Sequence, residues 1–312
     1  MSFFQYNNIN IKSICSAVPK NISKNEEYSK FIGTKNIKKI IDQTGIKSKR
    51  IIDQKLTITD LYYACANKLI KELSKSNQKI DLLICVTQTP DYKQPSVSSI
   101  MHGLLNLDKN VACFDLNIAC SGFVYGLNIA CSLLSSQDKK NALILFGDTA
   151  SKYIGKKDYD TLPLFGDAAS GLILNNHKNN RKTYFNCMTD GKGYKNLFIK
   201  GGGYKYPLSK KLKLQMNGLE VFKFSIFEVP KNITDLVSKF KINKKNINYL
   251  ILHQSNRQIM QHIGNKLSFG DKLLFSLKKY GNTGSASIPL TINHNSKLFI
   301  KKSLKILVSG YG

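Results

Sequence analysis

Apolar positions along this chain fall into two recurring patterns. Short continuous runs with β-branched and aromatic character, such as Val111–Leu116 (VACFDL), read as buried strands, whereas apolar residues three and four apart read as helix faces. One pattern passes directly into the other near Ala119–Cys120, because Phe123, Leu127, Ala130, Cys131 and Leu134 recur at helical spacing. A helix therefore opens where a strand ends, and a cysteine stands at the turn.

The same order of parts occurs twice. KIDLLICVTQTPDY (79–92) resembles NINYLILHQSNRQI (246–259), each an apolar strand followed by Gln and a small hydroxyl residue; NALILFGD (141–148) has a counterpart in LKILVSGYG (304–312). Between these pairs lie the Cys120 turn in the first half and YGNTGSASIPL (280–290) in the second, each opening a helix rich in small residues. Gly122 and Gly126 on the first helix, and Gly284 and Ala286 on the second, would let another backbone approach closely. A mid-helix glycine costs about 1 kcal/mol against alanine, so a packing reason is expected.

The pattern predicts two α/β halves packed with both helices central, their sheets mostly parallel and covered on both faces. The first half continues into LFGDAASGLILNN (164–176), a buried-strand pattern with no equivalent in the second, which stops at Gly312. Residues 176–211 are polar and glycine-rich, which divides the chain into 1–176, holding Cys120, and 177–312, holding His253 and Asn282 and lacking the final strand. KLQMNGLEVFKFSIFEVPKNI reads as the entry to the second half.

Composition narrows the function classes. The 312 residues are 42% hydrophobic, enough for a sizeable core, and no apolar run has the length of a signal peptide or a bilayer span. A cytoplasmic protein without a membrane segment is expected. Seven cysteines are scattered without a C-x-x-C pair or a Cys/His cluster, which argues against a disulfide framework and a structural metal. The net charge of +27 comes from lysines spread along the whole chain, with arginine only at 50, 181 and 257. This favours a solvated lysine surface over nucleic-acid binding, and leaves an acidic partner open: a carrier protein, a nucleotide-bearing cofactor or nucleic acid.

Cys120 sits where a helix N-terminus stabilises negative charge, so a lowered thiol pKa and a reactive thiolate are expected there, although a buried structural cysteine fits the local sequence too. His253 ends the apolar run NYLIL, where α/β folds collect ligand-binding groups; the alternative is a core histidine bonded to a carbonyl. Asn282, in YGNTGSAS, is either a turn and cap residue or a site residue. Their placement in matching turns of the two halves joins them as one candidate site. The order Cys, His, Asn is also that of papain-like proteases, but no C-G-[SA]-C-[WY] surrounds Cys120, the cysteine lies far from the N-terminus and the chain has no Trp. No G-x-S-x-G elbow supports a serine hydrolase.

DLNIACSGFVYGLNIA, LFGDAASGLIL, MNGLEVFKF, ILHQSNRQI and YGNTGSASIPL, in this order along nearly the whole chain, resemble the signatures of β-ketoacyl-[acyl-carrier-protein] synthase III, a condensing enzyme of the thiolase superfamily. The resemblance implies a thiolase-like α/β fold in which two similar halves form a layered α-β-α-β-α core. It makes Cys120 the acyl-accepting nucleophile, and His253 and Asn282 the pair that serves decarboxylative condensation of the acyl primer with malonyl-[acyl-carrier protein]. It implies no metal or redox cofactor, an acyl-carrier protein as partner, acyl-CoA as a possible donor, no nucleic acid, and a homodimer in which the loop PDYKQPSVSS (90–99) reaches the partner's acyl pocket. A non-decarboxylating acyltransferase of the same superfamily is one alternative, and a basic nucleic-acid-binding scaffold with an inactive site is another.

Asn256, Arg257, Gln94 and Gln43 are the candidate substrate-binding residues. Arg257 is placed to contact a phosphopantetheine arm or an acidic carrier protein, unless it is a solvated surface residue. Lys39 and Gln43 stand where many members of the family carry a Trp and an Arg that hold the adenine of coenzyme A, a departure from the usual coenzyme A site. Gln94 replaces a Phe that commonly limits the acyl pocket; either it faces a polar primer or it points to water. In the family, a glycine N–H beyond the last glycines completes the oxyanion hole with the nucleophile's own N–H, and the sequence stops at Gly312, before that group.

Overall fold

The computed structural model describes residues 2–136, 140–156, 158–178, 181–206, 213–300 and 304–312. Its strands in chain order are β1 (Ser2–Asn7), β2 (Ile9–Ala17), β3 (Ile22–Lys24), β4 (Ser48–Arg50), β5 (Leu82–Val86), β6 (Ala112–Leu116) and β7 (Asn141–Asp148), followed by β8 (Ala168–Asn176), β9 (Lys182–Cys187), β10 (Leu197–Ile199), β11 (Leu214–Met216), β12 (Tyr249–Leu252) and β13 (Ile306–Ser309). The helices are α1 (Ser29–Ile32), α2 (Thr34–Thr44), α3 (Ile58–Ser74), α4 (Val97–Leu104), α5 (Gly122–Ser136), α6 (Gly218–Lys239), α7 (Arg257–Lys266), α8 (Leu277–Tyr280) and α9 (Ser287–His294).

A five-stranded sheet with the order β2-β8-β7-β5-β6 organises the first half. Every residue of β5 and β7 is buried, so successive side chains supply two cores, one on each face. Leu83, Cys85, Leu143, Leu145 and Ile173 meet Ile58, Leu61, Tyr62, Cys65 and Leu69 of α3 and Val97 and Met101 of α4. Leu82, Ile84, Ala142, Ile144, Phe146, Leu172 and Leu174 point the other way, onto Phe123, Leu127, Cys131 and Leu134 of α5.

Ile251 of β12 and Ile288 of α9 join that second core, whereas Leu250 and Leu252 of β12 turn to a third, with Val229, Ile233 and Leu236 of α6 and Ile259, Met260 and Ile263 of α7. Reading across the cores gives α3 and α4, the five-stranded sheet, α5 and α9, the β12–β13 pair, then α6 and α7. This is the α-β-α-β-α layering that the family resemblance implied. The internal repeat is visible in the pairing as well: β5 runs parallel to β7 from Leu82 opposite Ala142, and β12 runs parallel to β13 from Tyr249 opposite Ile306.

Two expectations require correction. The first-half sheet is mixed: β6, β5 and β7 are parallel, but β8 runs antiparallel to β7 and β2 antiparallel to β8. A strand buried on both faces is apolar throughout in either direction, so its pattern carries no orientation. Nor is the strand at 111–116 covered on both faces. It begins at Ala112, forms the edge of the sheet, and is exposed at Ala112 and half-buried from Cys113 to Leu116. β9, which lies within 177–312, pairs antiparallel with β1 in register from Ser2 opposite Cys187 to Asn7 opposite Lys182.

Candidate active site

Cys120 lies in the turn between β6 and α5, two residues ahead of the helix, where the Ala119 carbonyl accepts from the Gly122 N–H at 2.8 Å and the Ser121 carbonyl accepts from the Val124 N–H at 3.1 Å. Gly122 allows the close approach that the sequence suggested: a Cβ there would stand 2.7 Å from Val86 Cγ1 and 3.2 Å from Ser285 Cβ. The helix start is thus pressed between the end of β5 and the turn after Asn282. Cys120 is only 6% exposed, and its thiol pKa is pushed up to about 12, first by burial and then by the Asp148 carboxylate, with its own backbone N–H opposing. This reverses the lowered pKa expected from the helix N-terminus: the desolvation of a buried thiolate outweighs what the helix dipole offers.

His253 follows β12 directly, and its N–H donates to the Ser309 carbonyl at 2.8 Å, prolonging the β12–β13 ladder. The imidazole is buried; Nδ1 is 2.7 Å from Ser287 Oγ, while Nε2 has no partner among the described residues. Burial holds its pKa down to about 3, so the ring is neutral at ordinary pH. Gln254 stabilises this strand end: Nε2 donates to the Leu252 carbonyl and Oε1 accepts from the Ser276 N–H, both at 2.8 Å.

The chain leaving β13 connects this histidine to the cysteine. The Tyr311 ring packs edge-on against His253 with centroids 5.6 Å apart, and its hydroxyl lies 3.0 Å from Ser255 Oγ. At the next residue, Gly312, a Cβ would stand 2.8 Å from Cys120 Sγ, so Gly312 lies directly on the thiol. A Cβ on Gly310 would stand 2.9 Å from the Cys120 carbonyl oxygen.

Asn282 approaches from a third segment. Its N–H donates to the Leu164 carbonyl and its carbonyl accepts from the Gly166 N–H, both at 2.9 Å. Its Oδ1 accepts from the Gly284 N–H at 3.1 Å, which leaves the amide NH₂ as the end able to donate to a ligand. Gly284 and Ala286 are not on a regular helix as expected, but in a tight turn ahead of α9, with Gly284 at φ +56°. A side chain at Gly284 would run into Asp148, whose Oδ2 accepts from both the N–H and the hydroxyl of Ser285 at 3.3 Å. The Oδ1 of Asp148 accepts from the Gln88 N–H at 2.7 Å and from the Thr87 hydroxyl at 3.3 Å. Burial raises the Asp148 pKa to about 6 against those hydrogen bonds.

Asp148, Ser287, Tyr311 and Gly312 escaped the sequence reading. A signal for the first was present: FGDTAS (146–151) recurs as FGDAAS (165–170), and both copies deliver a buried aspartate. Asp167 accepts from the Ile52 N–H at 2.8 Å and from the Ser151 N–H at 3.0 Å.

The candidate substrate-binding residues occupy two places. Asn256 caps α7, its Oδ1 accepting from the Ile259 N–H at 2.9 Å. Arg257, exposed, donates to the Asp42 carbonyl, and a Cβ on Gly45 would stand 2.9 Å from its Cβ, which sets it beside the end of α2 that carries Gln43. Gln43 and Lys39 are exposed on α2. Gln94 is exposed as well, on the loop before α4, whose first turn is fixed by Asp115 accepting from the Val97 and Ser98 N–H groups at 2.7 Å. Within one chain, therefore, Gln94 faces no buried pocket.

Residues 114–191 match the family described as 3-oxoacyl-[acyl-carrier-protein] synthase III, and residues 237–312 match its C-terminal domain. The chain is 34% identical to the beta-ketoacyl-[acyl-carrier-protein] synthase III of Clostridium acetobutylicum over 313 aligned positions, covering 98% of this chain and 95% of the relative. It is 34% identical to the Acholeplasma laidlawii protein of the same name, covering 97% and 94%. The fold superposes on the crystal structure of a 3-oxoacyl-(acyl-carrier protein) synthase from Burkholderia xenovorans with a TM-score of 0.94 at 27% identity, covering 100% of this chain and 92% of the other. With the same layers, the same duplicated plan and near-complete coverage, the chain belongs to the β-ketoacyl-[acyl-carrier-protein] synthase III family, condensing acyltransferases of the thiolase superfamily.

Proposed function

We propose that Cys120 carries the acyl primer and that His253 and Asn282 stabilise the enolate formed when malonyl-[acyl-carrier protein] loses CO2. The observation that carries this reading is the convergence at the end of β13, where Gly312 lies on the Cys120 thiol and Tyr311 on the His253 ring.

With its pKa near 12, Cys120 rests as a thiol. Its sulfur attacks the carbonyl of an acyl thioester, and its proton passes to the leaving thiolate, so the acyl group moves between two sulfurs without a large change in bond energy. In the second step the carboxylate of the malonyl unit leaves as CO2, and its electron pair becomes the enolate. Nε2–H of His253, with Ser287 donating to Nδ1, and the amide NH₂ of Asn282 both donate to the enolate oxygen. In a water-excluded site such donors are worth more than in bulk water. The carbanion then attacks the acyl-Cys120 carbonyl, the C–S bond breaks, and the thiolate takes a proton to restore the thiol. These steps name no metal or redox cofactor; the departing carboxylate supplies the driving force.

In this reading the donor thioester is held on an acyl-carrier protein or coenzyme A, and the protein works as a homodimer in the cytoplasm. The edge position of β6, with one side unpaired by any described strand, supports a second copy there, and the exposed loop at Gln94 supports its reaching across. Intact-protein mass spectrometry after incubation with acyl-CoA or acyl-carrier protein tests the first step. One acyl group is expected on the wild type and none on Cys120→Ala; an adduct that survives the substitution would refute Cys120 as nucleophile.

A further inference from the structure

Lys49 of β4 is fully buried, and the mechanism above gives it nothing to do. Its Nζ donates to Asn25 Oδ1 at 2.6 Å and lies 4.7 Å from the centre of the Tyr28 ring. Asn25, itself fully buried, donates through Nδ2 to the carbonyls of Ile46 and Pro163, both at 2.9 Å. The stem of Lys49 fills the room left by two glycines: a Cβ on Gly166 would stand 3.3 Å from Lys49 Cβ, and one on Gly281 would stand 2.9 Å from Lys49 Cγ.

Those glycines belong to the two strands of chain that hold Asn282. Gly281 precedes it, and Gly166 binds its carbonyl, while Leu164 receives its N–H. Segment 163–167 is anchored at one end by Asn25 on Pro163 and at the other by the Asp167 N–H donating to the Arg50 carbonyl, next to Lys49. Burial also draws the Lys49 pKa down to about 7, with Asp167 and Glu27 opposing, which marks the ammonium as costly for the fold to keep.

We propose that Lys49, through Asn25, is a positioning residue that sets the reach of the Asn282 amide. This rests on the role given to Asn282 above and adds to it a support outside the pocket. A displacement of about 1 Å at a reacting group costs on the order of 10²-fold in rate. Lys49→Met keeps the stem between the glycines but removes the charge from Asn25. Decarboxylation of the malonyl thioester is expected to fall about tenfold to a hundredfold, with acylation of Cys120 within about threefold of wild type. Asn25→Ala should show the same split, and Lys49→Arg, which keeps a cation, should retain more decarboxylation than Lys49→Met.

Hydrogen exchange by mass spectrometry reads the same device without activity. In both Lys49→Met and Asn25→Ala, exchange should rise in peptides covering 162–167 and 280–286 and stay unchanged in 118–136. Equal losses in both half-reactions, or a lowered melting temperature with no rise at 280–286, would overturn the proposal. A wild type that neither takes up acyl groups nor releases CO2 would overturn the condensing role of Asn282 instead, and the exchange pattern would still decide whether Lys49 holds that turn.

Discussion

Asp148 is the last residue of β7 and His253 directly follows β12; both are buried, and their polar atoms are partnered in opposite ways. The oxygens of Asp148 receive hydrogens from Gln88, Thr87 and both donors of Ser285, so its capacity is spent on joining β5 and β7 to the turn that follows Asn282. His253 has one nitrogen on Ser287 and the other without a partner among the described residues. A buried polar group without a partner costs on the order of 1–3 kcal/mol, and in the proposed function the enolate oxygen is the partner that Nε2 of His253 lacks among the described residues. One strand end is a joint between halves; in the proposed function the other is a reagent.

Breaking the reagent should have the largest effect. His253→Ala and Asn282→Ala are each expected to lower malonyl decarboxylation by about 10² to 10³ while sparing transfer of the acyl group to Cys120, since loss of one oxyanion-type donor has that magnitude. Separate assays of CO2 release and of the acyl adduct check it; loss of acylation with decarboxylation intact would reverse the assignment.

Breaking the joint should act on stability and on the thiol. Asp148→Ala leaves the N–H groups of Gln88 and Ser285 without this acceptor, the Ser285 hydroxyl keeping the Val86 carbonyl, and unfolding in urea should show a loss of about 2 kcal/mol. Asp148→Asn removes the charge that raises the Cys120 pKa, so alkylation of Cys120 by iodoacetamide should begin at lower pH than in the wild type.

The two groups also oppose each other in the pH dependence of stability. Asp148 holds its proton more tightly folded, at about 6, than at its ordinary 3.8; its contribution is present below pH 4 and is lost as pH rises to 6. His253, at about 3 against 6.5, contributes above pH 6.5 and loses that contribution as pH falls. Between pH 4 and 6 the slopes cancel, each worth about 1.4 kcal/mol per pH unit for one proton. Relative to wild type, His253→Gln should make stability fall more with rising pH in this window, and Asp148→Asn should make it rise more, as followed by urea denaturation.

The smallest effect is expected at Gln94. Gln94→Phe lies on an exposed loop and should change the stability of the chain by less than about 0.5 kcal/mol. If the loop serves a partner's pocket, the variant should still shift the preference among acyl donors, and light scattering should report a dimer. A monomer with unchanged preference would confine the whole site to one chain.

Much of this was written in the order of residues. The duplicated strand-turn-helix plan and the strand 141–148 followed from apolar periodicity and internal repetition, because burial on a strand or helix repeats with the local geometry of the backbone, and the proposal that Cys120, His253 and Asn282 form one site starts from the same repetition. The directions of β2 and β8, the edge exposure of β6 and the work of Asp148 did not follow. Each depends on which segment lies alongside, and buried apolar strands look alike whatever their neighbour.

Cys120 shows the division most clearly. Sequence alone placed a thiol at a strand-to-helix turn and thereby set the kind of chemistry available to it. Its protonation was decided by Gly312, Asp148 and the closed core around them, residues distant in the chain. The energy of a charge depends on every dipole and solvent molecule within several ångströms, and only the folded chain settles which atoms those are.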